Sequence, residues 1–188
     1  MNLIVLAGGK SSRFGKDKAF VKFEGVPIVE RILTTLGPLF DRTIIVTNHP
    51  LKYARFKCRI VSDQHKNIGP LGGLHAGLAA SDSELNFTVA CDMPRIAPDL
   101  VKYLICFNGY DAVVPAVNGF PEPLLALYSK ACLPAIEEMI KEKDHKISRL
   151  YDRVKTKFVP ENELRGHDRD LLSFSNINTL PTLKKHEE

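Results

Sequence analysis

The sequence predicts an α/β domain whose helices pack in layers on a mostly parallel central sheet. Three observations support this reading. Strand-length apolar runs alternate with helix-length amphipathic segments, and the first run is apolar enough to be a buried strand. No internal repeat, low-complexity tract or linker interrupts the alternation.

Residues 2–7, Asn-Leu-Ile-Val-Leu-Ala, form that first strand, and a Gly-, Ser- and Lys-rich loop follows over 8–22. Pro27 starts a helix with Ile28, Val29, Ile32, Leu33 and Leu36 on one face, and Gly37-Pro38 stops it. Residues 42–47 read as a second strand, 51–56 as a short helix, 58–61 as a third strand and 71–80 as a helix. A fourth strand over 85–90 ends at Cys91-Asp92-Met93-Pro94. Beyond it come a helix over 98–107, a strand over 111–114, a turn at Asn118-Gly119 and a strand over 124–128. Helices over 134–143 and around 147–154 precede a strand through Val159, and the remainder mixes short elements and loops.

The chain has 188 residues, 44% of them apolar and 26% charged, with 26 basic and 22 acidic side chains and a formal charge of +4. One domain over 1–188 is expected, able to bury roughly 70% of its unfolded surface without disulfide or structural metal. Disorder, collagen and small disulfide scaffolds are excluded. The charge suits an anionic small-molecule substrate but falls short of the basic face of a nucleic-acid binder. No run approaches the ~18 apolar residues that span a bilayer, and the apolar amino terminus is too short for a signal sequence. A cytoplasmic protein with neither nucleic-acid nor membrane partner is expected. Cys58, Cys91, Cys106 and Cys132 lack ligand spacing and read as buried free thiols, and the six histidines lack metal spacing and read as surface residues.

Four segments carry chemistry. Leu6-Ala7-Gly8-Gly9-Lys10-Ser11-Ser12-Arg13-Phe14-Gly15-Lys16-Asp17-Lys18 follows the first strand, where open α/β sheets bind ligands. Gly8 and Gly9 let backbone amides approach phosphate oxygens, and Arg13, Lys16 and Lys18 add cations. The loop matches neither the dinucleotide fingerprint nor the P-loop. Its competing reading is a surface loop with solvated lysines. Asp92, at the end of the fourth strand, suits Mg²⁺, which takes one or two protein carboxylates and completes its shell with water and phosphate. A turn or helix-capping Asp before Pro94 is the alternative. Gly69-Pro70-Leu71-Gly72-Gly73-Leu74 opens a helix and lets backbone line a flat ring, or is simply a turn and helix start. Ser175-Asn176-Ile177-Asn178-Thr179 sets two amide side chains on one side of an extended segment, for substrate, for a metal, or as a plain turn.

In chain order, the leading loop, Gly69-Pro70-Leu71-Gly72-Gly73, Cys91-Asp92-Met93-Pro94, Glu122-Pro123-Leu124-Leu125-Ala126-Leu127-Tyr128 and Asn176-Ile177-Asn178-Thr179 resemble the molybdenum cofactor guanylyltransferase family from residue 3 to about residue 183. The leading loop and the Asp-x-Pro turn are shared by many nucleotidyltransferases. The Glu-Pro-Leu strand and the Asn-x-Asn-Thr terminus point to the molybdopterin branch. The chain departs from the family after Asn178-Thr179, where Leu180 stands in place of the usual Pro, and at Phe14, where Met is common.

The resemblance implies a three-layer Rossmann-like nucleotidyltransferase fold and transfer of GMP from GTP to the terminal phosphate of molybdenum-molybdopterin, releasing pyrophosphate. It implies nucleotide contacts at Leu6, Ala7, Gly8, Gly9 and Lys18, and nucleoside contacts at Asp63 and at Thr47 or Asn48. Asp92 would hold Mg²⁺, and Asn176 and Asn178 would serve the pterin or a second metal. Implied partners are GTP, molybdenum-molybdopterin and, at hand-over, molybdoenzyme apoproteins or other cofactor-biosynthesis proteins.

The residues themselves suggest how such a site works. A phosphate monoester has a second pKa of ~6, so a phosphate nucleophile is already ionised near neutrality and requires no general base. Catalysis then rests on alignment and on positive charge from Arg13, Lys18 and Mg²⁺ on Asp92. The rival readings are a related nucleotidyltransferase using CTP or a sugar or alcohol phosphate, and a non-catalytic protein that binds nucleotide and handles the cofactor.

Overall fold

All five residues of the first strand are buried, because a computed structural model of the chain places that strand mid-sheet with helices on both faces. The structure describes residues 1–8, 18–65 and 67–177. In chain order these form β1 (Asn2–Leu6), a hairpin of β2 (Lys22–Phe23) and β3 (Val26–Pro27), α1 (Ile28–Leu36), β4 (Arg42–Val46), α2 (Pro50–Tyr53) and β5 (Arg59–Val61). Then come α3 (Pro70–Ala80), β6 (Leu85–Ala90), α4 (Pro98–Leu104), β7 (Ala112–Val117), β8 (Phe120–Pro121), β9 (Leu125–Ser129), α5 (Leu133–Lys141), β10 (Thr156–Pro160) and α6 (Glu161–Leu164).

The sheet runs β10-β7-β9-β6-β1-β4-β5, with β8 paired to β7. β6, β1, β4 and β5 run parallel to one another, and β10 runs parallel to β7. β9 is antiparallel to both β6 and β7. Side chains alternate between two cores. Leu3 and Val5 of β1 join α1, α2, α4 and α6 on one face through Ile28, Ile32, Tyr53, Leu100 and Leu164. Ile4 and Leu6 join α3 and α5 on the other through Leu74, Leu78 and Ile136. This is the three-layer architecture expected from the sequence.

Helix α3 lies very close to the sheet. A Cβ on Gly77 would stand 2.6 Å from Ile4 Cγ2 and 3.3 Å from Val46 Cγ2, inside a fully buried layer. Gly77→Ala is therefore expected to destabilise the fold by about 1–3 kcal/mol, the usual cost of overpacking a core. Chemical denaturation would show this as a lower midpoint with an unchanged slope.

The structure departs from the sequence reading in several places. Residues 22–27 form a small hairpin where only a loop and a helix start are expected, its turn built on Glu24 (φ 50°) and Gly25 (φ 78°). The helix expected around 147–154 is a 3₁₀ helix over Ile147–Asp152, and α4 ends at Leu104, short of the expected residue 107. The strand expected over 111–114 extends to Val117 and folds back through the Asn118-Gly119 turn to pair with β8. Of the four free cysteines only Cys132 is buried, and Cys106 is exposed. His65 and His75 are half-buried and meet edge to face, with ring centroids 4.9 Å apart, instead of standing on the surface.

Candidate functional site

The strand order fixes where a ligand can enter. The chain runs outward from β1 to β4 and β5, then returns through α3 to place β6 on the opposite side of β1. The carboxyl ends of β1 and β6 therefore flank the crevice that open α/β sheets use for ligands. Their register is level: Leu6 pairs with Val46 on one side and Ala90 on the other. The Cys91 amide donates to the Leu6 carbonyl (3.1 Å), the Ala7 amide to Val46 (2.8 Å) and the Thr47 amide to Val61 (2.9 Å).

Leu6 and Ala7 are buried and deliver the chain to Gly8 at the surface. Among the described residues a Cβ on Gly8 would meet nothing within 4 Å, so packing against them does not demand glycine there. Gly9, Arg13 and the other loop residues up to Asp17 lie outside the described residues. The chain re-enters at a 3₁₀ turn, Lys18–Phe20, which sets the Lys18 ammonium 3.9 Å from an Asp92 carboxylate oxygen. Both side chains are about a quarter exposed (24% and 22%), so the separation is too long for a strong bond and the charges are only partly hydrated. Burial pushes the Asp92 carboxyl above the ordinary carboxylate range, and the Lys18 charge pulls it back in part.

Asp63, just beyond β5, lies against the first turn of α3. A Cβ on Gly72 would stand 2.7 and 2.8 Å from the two Asp63 carboxylate oxygens and 2.9 Å from the His65 carbonyl. The His65 amide donates to Asp63 (2.8 Å). Burial raises the Asp63 pKa, and the His65 hydrogen bond and the nearby His65 and His75 lower it. Gly69 caps α3 with φ 75° and ψ −153°, a conformation closed to other residues, so the glycine there serves the backbone.

Thr47 is buried and its hydroxyl accepts from the His49 amide (3.2 Å), whereas Asn48 is exposed at the same edge. Ile177 donates its amide to the Asp92 carbonyl (3.1 Å), which brings the half-buried Asn176 to the same end of β6. Asn178 lies outside the described residues. The structure thus gathers Leu6, Ala7, Gly8, Lys18, Asn48, Asp63, Asp92 and Asn176 along one edge of the sheet.

Sequence reasoning passed over the half-buried Glu122 carboxylate on the same edge, and the His75–Glu137 contact (3.6 Å) beside Asp63. The signal for Glu122 was present in the Glu-Pro-Leu run, but the strand that follows it had no assigned direction. Among the described residues no three His, Cys, Asp or Glu side chains gather as a metal cluster, and no helix is long and apolar enough to cross a membrane.

Residues 3–157 match the family model for the MobA-like NTP transferase domain. The chain belongs to this family. Relatives include the molybdenum cofactor guanylyltransferase of Desulfosudis oleivorans, 37% identical over 98% of this chain and 93% of that protein. The molybdenum cofactor guanylyltransferase of Syntrophotalea carbinolica is 34% identical over 97% and 88%. The crystal structure of molybdopterin-guanine dinucleotide biosynthesis protein A from Archaeoglobus fulgidus superposes with a TM-score of 0.83 at 31% identity, covering 95% of this chain and 93% of that one. The inositol-1-phosphate CTP transferase of T. maritima shares the fold alone, at 15% identity and a TM-score of 0.68 over 85% of this chain and 84% of that one.

Proposed function

We propose that this MobA-like nucleotidyltransferase moves GMP from GTP onto the terminal phosphate of molybdenum-molybdopterin, releasing pyrophosphate. The observation that supports this most is the Lys18–Asp92 pair at the crevice between β1 and β6, in a chain alike over nearly its whole length to guanylyltransferases of that cofactor. Asp92 suits Mg²⁺ on structural grounds. It is a partly desolvated carboxylate with an elevated pKa and a cation no nearer than 3.9 Å among the described residues, so a divalent ion would relieve its uncompensated charge. With no three-ligand protein cluster among those residues, substrate phosphates and water would complete the shell. When bound, Mg²⁺ supplies positive charge against the phosphate oxygens and the departing pyrophosphate.

The chain's own groups bind and align. Backbone at Leu6, Ala7 and Gly8 borders the nucleotide, and Asn48 and Asp63 face the nucleoside side. Lys18, at the junction of the two strand ends, offsets the charge of the transferring phosphate, while the incoming phosphate attacks already ionised. Asn176, beside Asp92, stands where an acceptor would lie.

Pyrophosphate release with molybdenum-molybdopterin and each of the four NTPs tests the reading. Turnover with GTP is expected; turnover with CTP and not GTP overturns the guanine assignment. Lys18→Ala is expected to cut kcat about 100- to 1000-fold, the typical cost of removing one preorganised group that stabilises charge developing in the transition state. A non-catalytic nucleotide-handling protein would release no pyrophosphate with any of the four.

A further inference from the structure

Glu122 stands at the carboxyl edge of the sheet, between β8 and β9, and the chain around it is held at several points. Its amide donates to the Pro115 carbonyl (2.8 Å). The next carbonyl, Pro123, accepts the Tyr128 hydroxyl (2.9 Å), and Leu124 accepts the Ala90 amide (2.9 Å). Tyr128 is fully buried, and its hydroxyl lies 3.0 Å from that of Tyr151. The backbone is thus fixed while the carboxylate has no hydrogen-bond or ion-pair partner among the described residues. The carboxylate is half-buried, and burial pushes its pKa up with nothing to offset it. A rigidly presented, partly desolvated and unpaired carboxylate costs stability, and a ligand bearing donors removes that cost.

The donor that answers a carboxylate best is a pair of parallel N–H groups. In the reaction proposed above, that pair is the ring N–H and exocyclic amine of a 2-amino-4-oxopyrimidine, present both in guanine and in a pterin. Sheet order favours one source. Ala7, Asn48 and Asp63 follow β1, β4 and β5, on one side of β6, whereas Glu122 precedes β9 on the other, with Asp92 between them. We infer that Glu122 is a specificity residue that receives the 2-amino-4-oxopyrimidine edge of the acceptor's pterin, opposite the nucleotide across β6. The inference rests on the proposed reaction and adds to it the residue that reads the acceptor ring.

The test compares Glu122→Gln with wild type. The amide keeps the shape but replaces one acceptor with a donor, so acceptor KM is expected to rise about 10- to 100-fold, with kcat within about threefold. The GTP dissociation constant, measured by titration without acceptor, is expected to stay unchanged. Glu122→Asp, which keeps the charge on a shorter stem, is expected to fall between the two and guards against a folding defect in the amide variant. An unchanged acceptor KM in Glu122→Gln overturns the inference, and weaker GTP binding with an unchanged acceptor KM assigns the carboxylate to guanine instead. If wild type transfers GMP and the variants match it, this inference alone fails. If wild type transfers none to molybdenum-molybdopterin, the proposed reaction fails and the inference falls with it.

Discussion

Asp92→Asn is expected to lower GMP transfer roughly a thousandfold while leaving the melting temperature equal to or above that of wild type. The two effects have one origin. The carboxylate is only 22% exposed and its nearest described cation is 3.9 Å away, so its charge is poorly compensated in the free protein. Its folded pKa is therefore raised, and the ionised form destabilises the fold at pH values above that pKa. The deficit shrinks as pH falls through the folded pKa and vanishes below the unfolded value. The asparagine variant never carries it. Thermal melts of both proteins across acid to neutral pH should thus converge at low pH and separate above it, with the variant on the stable side. The activity loss follows from removing the carboxylate that suits Mg²⁺, and GTP binding by the variant should no longer differ between Mg²⁺ and chelator. More than a tenth of wild-type turnover, or a melting temperature well below wild type, would reduce Asp92 to a turn-stabilising residue.

The parallel half of the fold was legible because burial on both sides leaves a continuous apolar run. Asn2–Leu6, Arg42–Val46 and Leu85–Ala90 declared themselves in this way, and the loops after them had to sit together at one edge. The run ending at Tyr128 was equally visible, but an apolar strand does not encode its direction. Its antiparallel insertion between β6 and β7 follows from the Phe120–Pro121 turnback, which tertiary pairing decides. That reversal brings Glu122 to the same edge as Asp92, so the acceptor side of the proposed site could not be read from spacing. The Asp63–Gly72 contact was hidden for a related reason: the residues belong to different elements, and only the seating of α3 on the sheet brings them together. Gly72 and Gly73 read as freedom for a ring to approach, whereas Gly72 answers to Asp63 and Gly73 to Leu6 within the chain.

Gly72→Ala should show what that contact does. A methyl group there would sit 2.7 and 2.8 Å from the Asp63 carboxylate oxygens and 2.9 Å from the His65 carbonyl. A side chain could swing clear, but the His65 carbonyl is backbone, and its amide is tied to Asp63 at 2.8 Å. The segment over 63–65 must therefore move as a unit away from α3. With Asp63 on the nucleoside side of the proposed site, a shift near 1 Å is expected to cut kcat/KM for GTP about 100-fold, mostly through KM. Gly77→Ala, three ångströms or less from Ile4 in the core, should instead lower stability with a much smaller effect on the GTP constant. The pair separates a glycine that positions a binding residue from one that seats a helix. If Gly72→Ala loses stability as Gly77→Ala does but binds GTP normally, the Asp63 carboxylate serves the start of α3 rather than the nucleotide.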